Sequence, residues 1–123
     1  MTRFRIGVLA LTALGVVLVW ALPAVAGSTK TTATAVTVTA GSPSEFKFKL
    51  SKMKVPHGSV TFTVKNAGSV PHDFKIAGKK TKLLNKGQSA KLTVTFAKAG
   101  KFKYLCTVPS HETLGMWGNL TVT

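Results

Sequence analysis

Between Val36 and Val122 apolar side chains return at every second position in seven short runs, and that period points to sheets. Val36 and Val38 alternate with Thr; Phe46, Phe48 and Leu50 with Lys47 and Lys49; Val60, Phe62 and Val64 with Thr61, Thr63 and Lys65. The pattern runs on through His72, Phe74 and Ile76, through Leu92, Val94 and Phe96, and through Phe102, Tyr104 and Cys106. It ends with Met116, Gly118, Leu120 and Val122 on one parity. Turn formers separate the runs at Gly41-Ser42-Pro43, Pro56-His57-Gly58, Asn66-Ala67-Gly68, Gly78, Asn85-Lys86-Gly87 and Ala99-Gly100. Strands with one apolar face and one Lys/Thr face pack as antiparallel sheets, face to face. The expected fold is therefore an all-β Greek-key β-sandwich of about seven strands over residues 34–123. A chain of 123 residues makes one such domain and buries enough surface to fold without a disulfide.

The N-terminus is different in kind. Arg3 and Arg5 precede an uncharged apolar run from Ile6 to Leu22, followed by Pro23-Ala24-Val25-Ala26-Gly27, which reads as a signal peptide over residues 1–26 with cleavage after Ala26. The run is also long enough for an uncleaved membrane anchor. Residues 27–33, small and Thr-rich, form a short linker. On either reading the domain is exported, periplasmic or extracellular, and membrane-tethered if the signal stays. Cys106 is the single cysteine, so none stands at the signal boundary to carry a lipid.

Lys and Arg number 17 against 3 Asp and Glu, a formal net charge of +14. Beyond residue 26 the count is 15 Lys, no Arg and 3 acids. Export and the absence of the guanidinium fork argue against nucleic acid as a partner. The lysines fit either solvated strand faces that protect sheet edges, or attraction to an anionic envelope surface or an acidic protein.

One cysteine forms no intramolecular disulfide and no multi-thiolate zinc or iron–sulfur site, so a soft-metal centre here needs other donors beside Cys106. Such donors are present. Cys106, His111 and Met116 follow a Cys-x4-His-x4-Met spacing, and His72 stands upstream in Ser69-Val70-Pro71-His72-Asp73-Phe74. By strand parity His72 points with Phe74 and Ile76, Cys106 with Phe102 and Tyr104, and Met116 with Leu120 and Val122, all inward. Cys106 closes one strand and Met116 opens the next, so an antiparallel pair brings both to one pole, crossed by the loop that carries His111. One thiolate, two imidazoles and a thioether are the donors of a blue-copper electron-transfer site. Zinc sites prefer further Cys, His or carboxylate to a thioether. A Cys–His nucleophilic enzyme would need an orienting group and has no use for the Met, so no enzymatic activity is expected.

On these residues the chain resembles the cupredoxins, the small blue copper proteins that include plastocyanin and azurin, with a Cys-to-Met spacing similar to that of rusticyanin and auracyanin. The resemblance spans residues 34–123 and implies that His72, Cys106, His111 and Met116 ligate one copper ion. It also implies that the backbone N–H of Asp73 donates to the Cys106 sulfur. The chain lacks the azurin-type disulfide and the acidic docking patch of plant plastocyanins, so no partner carries over.

The expected function is that of a monomeric, exported carrier of single electrons. His111, on the loop, serves as the electron port, with Pro109, Leu114 and Trp117 as docking candidates around it. Lysines would steer an acidic redox partner such as a cytochrome or a membrane oxidase. The alternative is a copper-binding protein for storage, resistance or delivery, which exchanges metal instead of electrons.

Overall fold

The computed structural model describes residues 15–17, 19–24, 27 and 32–123. Most of the signal-peptide and linker readings over residues 1–33 lie outside the described residues. Within the N-terminal run, Val16, Val17, Val19, Trp20 and Leu22 are exposed, and no helix among the described residues is long and apolar enough to cross a membrane.

The domain is an all-β sandwich of two sheets. One holds β1 (Thr34–Ala40), β2 (Phe48–Leu50), β4 (Gly58–Asn66) and β7 (Ser89–Phe96) in the order β2-β1-β4-β7. The other holds β3 (Lys54–Val55), β5 (Lys75–Ile76), β6 (Lys79–Lys80), β8 (Gly100–Leu105) and β9 (Trp117–Val122) in the order β3-β9-β8-β5-β6. Each of the seven alternating runs contains a strand, although the run from His72 to Ile76 is strand only over β5 and leaves His72 in an isolated bridge. The two-residue β3 and β6 are additional, too short to carry a period.

The alternation delivers the core. Val36, Val38, Val60, Phe62, Val64, Val94 and Phe96 face inward from the first sheet, and Ile76, Tyr104, Leu120 and Val122 from the second. Between the sheets, Phe48, Phe62 and Tyr104 surround Phe74 with ring centroids 5.3 to 5.6 Å away. Each such aromatic contributes about 1.5–3 kcal/mol by leaving water. Outside, Ser59 meets Thr95 and Thr61 meets Thr93 through 3.2 Å hydroxyl contacts.

The expectation of antiparallel sheets needs one correction: both are mixed. β1 runs parallel to β4, with Val36 opposite Phe62 and Ala40 opposite Asn66, and β3 runs parallel to β9. A parallel pair needs a crossover, and here the chain hairpins into β2, crosses to the other sheet as β3, and returns as β4. Side-chain period is blind to strand direction. The direction matters at the site, because it ends β1 and β4 at the same pole, where Ala40 packs with Cys106 and Met116.

Candidate metal centre

Four segments build that pole. Cys106 follows the end of β8 and Met116 precedes β9, tied by a 3.1 Å bond from the Cys106 N–H to the Met116 carbonyl. The loop between them turns tightly: His111 N–H donates to Val108 O at 3.1 Å, and Met116 N–H to His111 O at 3.0 Å. Ser110 takes a positive φ of 71° within this turn. His72 sits outside regular strand, held by a two-way bridge with Leu84.

The loop that delivers His72 is organised by Asn66, fully buried at the end of β4. Its Nδ2 donates to Val70 O and Leu84 O, both at 2.8 Å, and its Oδ1 accepts from Gly68 N–H at 2.8 Å. Gly41, at φ 75°, lies backbone to backbone against Gly68, so a side chain at Gly41 would be both strained and in collision.

These segments bring together three of the four sequence-predicted ligands at their donor atoms. His72 Nδ1 is 3.1 Å from His111 Nδ1, and Cys106 Sγ is 3.9 Å from the first and 3.5 Å from the second. All three donor atoms lie within 4.8 Å of one another, and all three residues are buried. Met116, the fourth, is fully buried against Cys106, with Phe46, Phe48 and Val108 around the pair. Phe46 closes the other side, its ring edge-on to His111 at 5.0 Å and to His72 at 6.4 Å.

Electrostatics follows burial. Burial pushes the Cys106 thiol above its ordinary pKa; the backbone N–H groups of Asp73 and Val108 pull it down, and the Asp73 carboxylate adds to the rise. His111 is pushed down, first by burial and then by the neighbouring His72, with Asp73 and Glu45 opposing. The Asp73 carboxylate accepts the Thr107 N–H at 2.6 Å and the Thr107 hydroxyl, joining the His72 segment to the loop of Cys106 and His111.

One functional residue escaped the sequence reading. Glu45 lies in the turn before β2, and its Oε1 is 2.8 Å from His72 Nε2. Its carboxylate also accepts N–H bonds from Ser69 and Val70 at 2.9 to 3.1 Å. The signal was the scarcity of acids. The chain has 3 Asp and Glu, and two of them, Asp73 and Glu112, are sequence neighbours of His72 and His111. The third completes the same pole.

Pro109 lines a cleft of about 530 Å³ together with His111, Val70, Leu83, Lys80 and Lys82. Leu114 and Trp117 stand about half exposed. Lys103 lies over the Trp117 ring at 5.0 Å and pairs with Glu112.

Two imidazole Nδ1 atoms, a thiol sulfur and a buried thioether in one enclosed pole fit a copper ion: the thiolate and thioether suit Cu(I), the imidazoles Cu(II). The four side chains are grouped as in a type 1 copper site. Fold and site together define a blue-copper type of protein. A family model described as a cupredoxin-like domain matches residues 10–122, and the chain belongs to that family; its cofactor is copper.

Among similar proteins, the copper-resistant cuproprotein CopI of Pseudomonas aeruginosa is 48% identical over 40 residues, 32% of this chain and 22% of CopI. Auracyanin-B of Chloroflexus aurantiacus is 44% identical over 43 residues, 35% of this chain and 18% of that protein. The matches thus span about a fifth of these two relatives. A solved auracyanin B structure superposes with a TM-score of 0.66 at 24% identity, covering 74% of this chain and 89% of that one. Rusticyanin from Thiobacillus ferrooxidans gives 0.62 at 22%, covering 72% and 76%. These likenesses show the fold.

Proposed function

We propose that the protein is an exported, monomeric electron carrier in which His72 Nδ1, Cys106 Sγ and His111 Nδ1 would hold one copper ion, with the Met116 thioether as a fourth, weaker donor. The observation that carries this reading is the convergence of those side chains in one buried pole. A copper ion held there would supply a one-electron Cu(I)/Cu(II) couple. Everything else is the chain's work. To hold the metal Cys106 would give up its thiol proton, a loss that burial opposes in the free protein. Asn66, Asp73 and Glu45 hold the two histidine segments in place from the protein side, and Phe46 and Val108 keep water out.

His72 and Met116 are 0% exposed and Cys106 1%, whereas His111 reaches 9%, so His111 is the edge of the centre that a partner can touch. Beside it, the cleft of Val70, Leu83 and Pro109 with Lys80 and Lys82 at its rim suits an acidic redox protein such as a cytochrome or membrane oxidase. Leu114 and Trp117 extend the exposed apolar surface of the ligand-loop segment. The lysines also suit attraction to an anionic envelope surface.

A second reading, copper handling for resistance, storage or delivery, draws on the likeness to CopI. The two readings differ in what leaves the site. Transfer of copper to a chelator and electron exchange with a small redox reagent are timed on the same loaded protein. A carrier exchanges electrons many orders of magnitude faster than it releases metal, and release on the same timescale as electron exchange favours delivery.

A further inference from the structure

The metal centre has a carboxylate behind one of its histidines, and nothing in the ligand set requires it. Glu45 reaches His72 from the turn before β2, in the neighbouring sheet, and its side chain is 30% exposed while the imidazole is fully buried. The carboxylate is fixed before it meets the ring: Oε1 and Oε2 both accept the Ser69 N–H, at 3.0 and 2.9 Å, and Oε1 also accepts the Val70 N–H at 3.1 Å. The space for it is left by buried Gly68, where a Cβ would collide with Glu45 Oε1 and stand 2.9 Å from His72 Nε2. An ionised carboxylate only accepts, so the proton of the neutral ring sits on Nε2 and the Nδ1 lone pair faces Cys106 and His111.

We propose that Glu45 is a positioning residue of the copper centre: it fixes the His72 ring and its tautomer, and it places one negative charge behind a copper ligand, favouring the oxidised ion. The inference rests on the copper reading above. Carboxylates behind metal-bound histidines raise ligand basicity in general, and a charge one ring away favours Cu(II) over Cu(I) through the partly desolvated interior. A brace that merely held the Ser69–Val70 turn would do neither.

Two variants of the copper-loaded full chain separate these roles. Glu45→Gln keeps an oxygen that can accept the Nε2 proton but removes the charge. Its Cu(II)/Cu(I) ratio at a fixed ambient potential should fall about tenfold, an upward shift of about 59 mV for one electron, with the visible colour retained. Glu45→Ala should in addition lose the slowly exchanging His72 Nε2 proton, read by NMR in the diamagnetic Cu(I) form. An unmoved or lowered potential in Glu45→Gln, or an equally protected proton in Glu45→Ala, overturns the proposal while leaving the copper reading intact. Should Glu45→Ala fail to fold, the potential of Glu45→Gln alone decides. A wild-type chain that takes no colour from Cu(II) removes the copper reading and this inference together.

Discussion

Each donor at the pole is set by contacts that reach it from a different part of the chain. Parity made His72, Cys106 and Met116 legible as inward residues, and the loop spacing added His111. Met116→Leu is expected to keep the visible colour and raise the reduction potential by about 60 mV, because losing a weak thioether donor would disfavour Cu(II) more than Cu(I); voltammetry checks it, and an unchanged potential contradicts the proposed donor role of Met116. Glu45 was not legible, because His72 lies 27 residues along the chain and the contact is tertiary, without a local period; Asn66 was legible as a turn residue beside Gly68, but its bond to Leu84 was not. Glu45 also carries a pH signature. Backbone N–H bonds from Ser69 and Val70, then the bond to His72, hold its pKa at about 2 against an ordinary 4.5. With the folded pKa below the unfolded one, the stabilisation is complete above about pH 4.5 and is lost as the pH falls through about 2. Urea unfolding of the metal-free protein across that window should show stability falling more steeply in wild type than in Glu45→Gln; parallel profiles would contradict it.

Among the elements, the pair β8 and β9 carries the site, since Cys106 and Met116 continue them at one end. In that pair Gly118 stands opposite Tyr104, whose ring fills the place a Cβ would take. Gly118→Ala should force the ring aside in a packed core, cost about 1–3 kcal/mol, and change the visible spectrum by shifting the strand ends. Thermal unfolding and absorption measure both; a variant of unchanged stability would contradict this account of the glycine. The strands themselves were legible from alternation and turn residues, but their directions were not, because a period of two reads the same in parallel and antiparallel ladders. That one gap hid two things together: the parallel β1–β4 pair, and the turn of Glu45 that this pair carries to the copper pole.

For the molecule as a whole, charge is divided by position. All 3 acids lie on segments of the pole, each bonded to His72, Thr107 or Lys103, while lysines stand both on the outer strand faces and beside the pole, where Lys80 and Lys82 line the cleft. Electron transfer to an acidic partner should slow markedly as salt rises, because the Debye length shrinks from about 30 Å at 0.01 M to about 8 Å at 0.15 M. Neutralising Lys80 and Lys82 at the cleft should flatten that dependence in stopped-flow kinetics, and a flat wild-type profile would return the lysines to solvation alone. All of this depends on one centre with one thiolate. The most direct measurement is the visible absorption of the Cu(II)-loaded chain beside Cys106→Ser, with circular dichroism to confirm the folded sheets. The account predicts an intense thiolate-to-copper band, blue or green, in the wild type and none in the folded variant; a colourless wild type, or the same band in both, would contradict it.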